Sequence, residues 1–522
     1  MHNGLRATRK RRRTFTERPI RASTSDLPKR STLLSVRRAL ALSFSERYVL
    51  IFISLVGNVI LARLLTPQQI GIYSVCLAII GIAQVMREFG IGNFLIQEKD
   101  LTDAHISTAF GITLLIGCLM FVLVFMAAPF AGSFYGEATL TRTMRISALN
   151  FLTLPFCTIS LALLRRQMAF TQLIAVTLTA AVISFAATLW LAYLGYGADS
   201  MAIGSVVGNI VTGAGAWIAR TDRKLILPGF SEWRSISSFG AQSSLANIVT
   251  SISMDINDLV AGKILGLAPV AILSRAQGLM NLFHRDLMAA VRNVALPAFS
   301  KAHREGDAIE PRHVASVTAI TVFAWPFYGF VTLYALEVLR LMFGDQWDAA
   351  APLVPLYCLA GAIQATANLI LQAIMAVGRN DLVMKAELIF QPIRALLIVA
   401  AAVIFKSLMA CAIAYLVAAF IYVPFVYAVK QYCIPTDFAR LRANLLKSLQ
   451  VSLATLFLPA LLAFSEGFSR DKPAGIALLL MAAAAALLSW IAALVIFKHP
   501  VTLDPSFLRI QNRVAKLLRS PS

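Results

Sequence analysis

Charge is the scarcest resource in this 522-residue sequence. Only 14% of residues are charged, against roughly 25% in a typical soluble domain. With 58% hydrophobic residues and a mean hydropathy of +0.74, an ordinary soluble globule is excluded. No stretch between the apolar runs is long enough for a folded soluble domain. Cysteine is equally uninformative about chemistry. Cys76, Cys118, Cys157, Cys358 and Cys411 lie in apolar stretches and Cys433 near a helix end, with no CxxC and no Cys/His cluster. A metal site, a disulfide framework and a bound cofactor are therefore not expected. The sequence also lacks a GxxxxGK[ST] phosphate loop, an HExxH and a GxSxG, so the common routes to ATP hydrolysis, zinc proteolysis and serine hydrolysis are closed. It has no large charged loop to house glycosyl transfer, and it is not read as an enzyme. Nor is a cleavable secretory signal expected: the basic region is too long, and the first apolar stretch reads as an uncleaved span.

Apolar runs are what the sequence has in abundance. A bilayer core needs about 20 apolar residues per spanning helix. Runs bounded by charges, Pro and Gly predict spans at 47–65, 70–88, 107–130, 147–165, 171–194 and 199–219, then 237–256, 266–290, 314–336, 349–376, 384–405 and 408–429, and finally 445–465 and 473–497. The expected fold is an all-α polytopic membrane protein of about 14 transmembrane helices, arranged as two six-helix lobes plus a C-terminal helix pair. The corresponding divisions are a basic tail (1–45), an N-lobe (46–220), a linker (221–234), a C-lobe (235–430), the last two helices (431–498) and a second tail (499–522).

The net charge of +21 has a distribution that argues against nucleic acid as a partner. Residues 1–46 carry twelve Lys/Arg, including the run Arg9 to Arg13, against only Glu17, Asp26 and Glu46. Such a segment is predicted to be a solvated tail that sets orientation and attracts anionic membrane lipid. With both termini inside, cytoplasmic segments total +20 and outside loops −1, and two arginines within spans complete the +21. An even number of spans with both tails cytoplasmic is the simple way to obtain this asymmetry.

The chain also repeats itself. Arg63-Leu-Leu-Thr-Pro-Gln-Gln-Ile-Gly-Ile-Tyr-Ser74, between the first two spans, aligns with Lys263-Ile-Leu-Gly-Leu-Ala-Pro-Val-Ala-Ile-Leu-Ser274 at an offset of 200. Phe134-Tyr135-Gly136 similarly precedes span 4 as Phe343-Gly344-Asp345 precedes span 10. Six spans separate each pair, so the copies share one orientation, as in parallel-repeat transporters. The second copy lacks the Gly and Tyr of the first.

Ionisable residues inside a membrane are functional candidates by default. A mid-span arginine costs at least about 2.5–3.5 kcal/mol on insertion scales and normally faces protein or a watery cavity. Arg394 follows Gln391-Pro392 near the middle of span 11, where proline removes a backbone hydrogen bond, and Arg275 lies nearer the outer end of span 8. Gln364, Asn368 and Gln372 recur every four residues, which would stack three amides on one helical face. Span 7 has Asn247, Ser251, Asp255 and Asp258. Span 6 has Ser205, Asn209 and Thr212, with Gly204 and Gly208 spaced for close packing. Such stripes serve either as interhelical glue or as contacts to a cargo. Asp258 either binds a coupling ion or pairs with Lys263. Arg87 and Glu88 close span 2 on the cytoplasmic side, where Arg87 would meet an entering headgroup.

Several segments resemble one known family. Gly57-Asn-Val-Ile-Leu-Ala-Arg-Leu-Leu-Thr-Pro-Gln-Gln-Ile-Gly-Ile-Tyr-Ser74, Phe89-Gly-Ile-Gly-Asn-Phe-Leu-Ile-Gln-Glu98, Asn257-Asp-Leu-Val-Ala-Gly262, Pro297-Ala-Phe-Ser300 and Phe343-Gly-Asp-Gln-Trp347 with Ala349-Ala-Ala-Pro352 are similar to bacterial polysaccharide flippases. These form the O-antigen, colanic-acid and succinoglycan exporter-like branch of the multidrug/oligosaccharidyl-lipid/polysaccharide exporter superfamily, and the likeness covers about 45–497. The resemblance implies translocation of undecaprenyl-diphosphate-linked oligosaccharide across the inner membrane, with polysaccharide polymerase and export machinery as partners. It also implies a cationic central cavity, to which Arg394 and Arg275 are suited. The alternatives are a multidrug cation antiporter of the same superfamily, which would place acidic residues deep in the cavity, and a membrane glycosyltransferase or polymerase, which would carry a long charged outer loop.

Overall fold

A computed structural model describes residues 49–87, 91–98, 100–220, 226–233, 253, 255–465 and 475–503. Among them there is no strand, as a chain that must satisfy its backbone inside hydrocarbon requires. The helices are α1 (Val49–Leu64), α2 (Pro67–Arg87), α3 (Ile91–Gln97), α4 (Asp103–Tyr135), α5 (Ala138–Ala148), α6 (Asn150–Arg166), α7 (Phe170–Tyr193) and α8 (Ala198–Ala219). After α9 (255–264) come α10 (Leu267–Asn281), a π-helical turn at Leu282–Leu287 and α11 (Met288–Arg304), then α12 (Ile309–Leu333) and α13 (Ala335–Phe343). A 3-10 stretch at Asp345–Leu353 leads into α14 (Val354–Ala365) and α15 (Ile370–Ala376), followed by α16 (Asn380–Phe405), α17 (Leu408–Gln431), α18 (Phe438–Ser465), α19 (Ile476–Ile496) and a last 3-10 turn at Pro500–Leu503.

Eleven helical segments among the described residues are long and apolar enough to cross a membrane, so the chain is a polytopic helical membrane protein. They match the predicted spans 2–6 and 9–14. Span 1 corresponds to the shorter apolar helix α1, and span 8 to α10 with its π turn and the start of α11. Predicted span 7 falls almost wholly outside the described residues.

Helix ends follow local chemistry. Thr102 caps α4, its hydroxyl accepting from the His105 N–H at 3.2 Å while His105 Nδ1 accepts from the Thr102 N–H at 3.3 Å. That reciprocal arrangement satisfies two otherwise orphaned donors. Gly136 ends α4 at φ 71°, and Gly344 ends α13 at φ 97°. Both positions favour a residue without a Cβ. The two glycines belong to the segments aligned in the repeat, and α2 and α10 likewise begin 200 residues apart, at Pro67 and Leu267.

Packing between α2 and α10 is close enough to need Gly71, since a Cβ there would lie 1.9 Å from the Leu267 carbonyl oxygen. Beside this crossing, the end of α1 is pinned to α13 and the segment that follows it. Trp347 Nε1 donates to the Ala62 carbonyl at 2.9 Å, Gln346 Nε2 to the Leu65 carbonyl at 3.2 Å, and Arg63 to the Leu341 carbonyl. The C-terminal pair docks on α12: Tyr334 Oη donates to the Pro459 carbonyl at 2.8 Å and Trp490 Nε1 to the Val322 carbonyl at 3.0 Å.

One expectation is corrected. Gln364, Asn368 and Gln372 do not share one helical face, because the helix breaks at 366–369 and Asn368 sits in the break. The Tyr427 hydroxyl donates to the Thr366 carbonyl at 2.8 Å there, so a side chain from α17 takes a backbone acceptor of the opened turn. Conversely, α16 runs unbroken through Pro392.

Candidate functional site

The polar stripes divide sharply by how well they are paired. On α8, Asn209 Nδ2 donates to Asn150 Oδ1 at 2.7 Å, Asn150 Nδ2 donates to Ser205 Oγ at 2.9 Å, and Thr212 Oγ1 donates to the Gly208 carbonyl at 2.8 Å. A Cβ on Gly204 would sit 1.8 Å from Thr188 Oγ1. This stripe is interhelical glue joining α6, α7 and α8.

Around Arg394 the pattern is the opposite. The Arg292 guanidinium, on α11, donates to Asn368 Oδ1 at 2.8 Å and to the carbonyls of His284 and Arg285 at 3.3 and 3.2 Å. Those two carbonyls belong to the π turn, whose extra residue per turn frees backbone oxygens as π turns at functional sites commonly do. The charges of Arg292 and Arg394 both reach His284 and, with that of Glu387, also Tyr422 on α17. Gln391, one turn before Arg394, donates to Glu387 Oε2 at 2.6 Å. Five buried polar atoms of this region have no protein partner: Arg394 Nε, His284 Nδ1, Asn368 Nδ2, Gln372 Oε1 and Gln391 Oε1. Each such atom costs about 1–3 kcal/mol if left unsatisfied. Their concentration here marks a place built to meet something else. The Arg and Asn nitrogens suit an anion, and the two amide oxygens suit hydroxyl donors.

Arg275 is held differently. It is 8% exposed, donates through Nη1 to Asn58 Oδ1 of α1, and lies 5.1 Å from the Phe343 ring centroid and 4.9 Å from that of Trp347. It thus ties α10 to α1 and to the segment after α13, instead of joining the Arg292–Arg394 group. Gln364 is half-buried on α14. Asp258 shares α9 with Asp255, whose charge reaches it. Lys263 does not turn to Asp258; it donates to the Phe134 carbonyl with its ammonium 4.4 Å from the Phe134 ring centroid. Arg87 ends α2 with its side chain outside the described residues, and Asn247 lies outside them altogether. No group of three or more His, Cys, Asp or Glu that could hold a metal occurs among the described residues.

Sequence reasoning missed Arg292, His284 and Glu387. The predicted span stops at 290, two residues short of Arg292, whereas the helix continues to Arg304. A four-residue spacing of Glu387 and Gln391 ahead of Arg394 was the one available signal.

The chain is similar to several known proteins. The succinoglycan biosynthesis transport protein ExoT of Rhizobium meliloti (strain 1021) is 23% identical over 329 residues, 62% of this chain and 65% of that protein. The lipopolysaccharide biosynthesis protein WzxC of Escherichia coli (strain K12) is 23% identical over 347 residues, 65% of this chain and 69% of its own. The teichuronic acid biosynthesis protein TuaB of Bacillus subtilis (strain 168) is 24% identical over 306 residues, 58% and 62%. In fold, the chain is similar to the lipid II flippase MurJ in an inward closed conformation, with a TM-score of 0.69 at 16% identity, covering 88% of this chain and 98% of that one. It is also similar to an inward-facing MATE-family multidrug resistance transporter of the MOP superfamily, with a TM-score of 0.54 at 16% identity, 73% and 95%. The polysaccharide biosynthesis protein family model matches residues 60–352, more than half of the sequence, and the chain belongs to that family.

Proposed function

We propose that this protein is a flippase that moves a lipid-linked oligosaccharide, carried on an undecaprenyl diphosphate, across the bacterial inner membrane for exopolysaccharide or lipopolysaccharide synthesis. The observation that carries this reading is the half-buried group of Arg292, Arg394, Asn368 and His284, in which Arg394 Nε and Asn368 Nδ2 lack a protein acceptor, as Gln372 Oε1 and Gln391 Oε1 lack a donor. The diphosphate accepts from the arginines and Asn368, sugar hydroxyls donate to the glutamines, and the lipid tail stays in the bilayer. Among the described residues the group sets two arginines, Arg292 and Arg394, against one carboxylate, Glu387. That disfavours the multidrug-cation alternative, which needs the reverse sign.

Transport proceeds by alternating access of two six-helix lobes, with the pair α18–α19 appended and both termini in the cytoplasm. The α2–α10 crossing and the Ala62–Trp347 contact then form the outer closure. Arg275 becomes available to the cargo when Asn58 and the two rings release it, Gln364 and Asn247 line the path, and Arg87 meets the headgroup at the cytoplasmic entrance. Asp258 is the candidate for ion coupling. Polymerase and export machinery take the delivered product.

The test is reconstitution into vesicles with a fluorescent lipid-linked oligosaccharide in one leaflet. Protein-dependent appearance of the label on the other face supports the proposal. A rate equal to that of protein-free vesicles, with the protein shown to be inserted, rejects it.

A further inference from the structure

The cationic group contains a carboxylate that works against it. Glu387, Gln391 and Arg394 follow one another on α16 at intervals of four and three residues, so they share one face of that helix. A negative charge there weakens the hold of two arginines on a diphosphate, and a carboxylate within a span is costly in itself. Glu387 does not act as the counter-ion of Arg394. Its one hydrogen bond among the described residues comes from Gln391 Nε2, at 2.6 Å, while Arg394 Nε has no partner.

That single bond decides which end of the Gln391 amide is offered to a ligand. An ionised carboxylate only accepts, so the amide beside it must present its NH2 group and leave its oxygen over. The oxygen left over, Gln391 Oε1, is buried without a partner on a residue only 7% exposed. The converse holds at Asn368. The Arg292 guanidinium only donates, takes Asn368 Oδ1 at 2.8 Å, and leaves Nδ2 as the remaining donor. Hydrogen bonds to a charged group are roughly twice as strong as neutral ones, so neither amide exchanges its ends readily. One charge of each sign fixes one amide: Asn368 is a donor and Gln391 an acceptor.

We propose, on the reading that a diphosphate occupies the arginines, that Glu387 is a positioning residue which locks Gln391 as an acceptor, and that the site thereby selects a neutral sugar next to the diphosphate. Gln391 Oε1 accepts from a sugar hydroxyl or an acetamido N–H. A uronic acid in the same place brings a second carboxylate toward Glu387 and an acceptor toward an acceptor. With the arginines already taken, that carboxylate finds no donor, and like charges set together are rejected.

The full-length protein in nanodiscs tests this by the binding of citronellyl diphosphate, its glucosyl conjugate and its glucuronosyl conjugate. The wild type should bind the glucosyl probe about five-fold more tightly than the bare diphosphate, the gain expected of one added hydrogen bond, and the glucuronosyl probe no more tightly than the bare diphosphate. Glu387→Gln should bind the bare diphosphate more tightly, because the opposing charge is gone, yet lose the gain from glucose. Gln391→Leu should lose that gain as well, and adding Glu387→Gln to it should lower the gain no further, since the first residue acts through the second. A Glu387→Gln or Gln391→Leu protein that keeps the glucose gain overturns the proposal, and so does a wild type that binds the glucosyl and glucuronosyl probes equally. A wild type that does not bind the bare diphosphate overturns the diphosphate reading, and the proposal falls with it.

Discussion

The side-chain carbonyl of Gln68 accepts a hydrogen bond, 3.2 Å long, from the backbone N–H of Ala268, its own counterpart 200 positions later. The two copies of the repeated turn therefore touch at equivalent positions, and α2 and α10 cross beside them with Gly71 against the Leu267 carbonyl.

Gly71→Ala tests the crossing. The added methyl group meets backbone that cannot rotate away, so overpacking should cost about 1–3 kcal/mol. Thermal unfolding in detergent should show a lowered midpoint, whereas Gly278→Ala, where an added Cβ meets nothing within 4 Å, should not. Equal midpoints for the two variants would contradict the crossing.

Arg275→Lys should destabilise the folded protein by about 1–2 kcal/mol. The ammonium keeps the charge but loses the cation–π contacts with Phe343 and Trp347 and the Nη1 hydrogen bond to Asn58. A chemical unfolding series in mild detergent reads this directly. An unchanged midpoint would show that the aromatic contacts contribute nothing.

Acid should weaken the docking of the C-terminal end. His499 is buried beyond α19, where its Nε2 lies 3.1 Å from Ser448 Oγ and its Nδ1 accepts from the Val501 N–H at 3.3 Å. Burial, reinforced by the charge of Lys447, pushes its pKa down from 6.5 to about 4. Between those values the unfolded chain binds the extra proton and the folded one does not, so stability falls as the pH drops from about 6.5 to about 4. His499→Gln should flatten the melting temperature over that window, and an unaltered slope would count against this histidine as its source.

Much of this was legible in the sequence, for identifiable reasons. Spans are readable because a bilayer demands continuous apolar runs, and the repeat is readable because its turns need Gly and Pro at fixed places. Arg394 stands out as a charge amid Leu, Ile and Ala. Arg292 does not, because it lies two residues past the predicted end of the apolar run at 290, in a stretch of α11 that packs on α15. The opening at 366–369 carries neither Pro nor Gly and is set by tertiary contacts such as that from Tyr427. The aromatic rings around Arg275 arrive from positions 343 and 347, a proximity that no local pattern announces. The stripe of Ser205, Asn209 and Thr212 looked like that of Asn368 and Gln372. What separates them is the supply of partners, and that exists only in three dimensions.

The proposed transport function rests on the half-buried cationic group of Arg292 on α11 and Arg394 on α16, which would hold the diphosphate of the cargo. Its most direct measurement is the rate at which labelled lipid-linked oligosaccharide crosses vesicles holding equal amounts of inserted wild type, Arg292→Gln or Arg394→Gln. Loss of a charged hydrogen bond worth about 1.5–3 kcal/mol should slow either variant at least about ten-fold. Crossing at the wild-type rate in both variants would contradict the account.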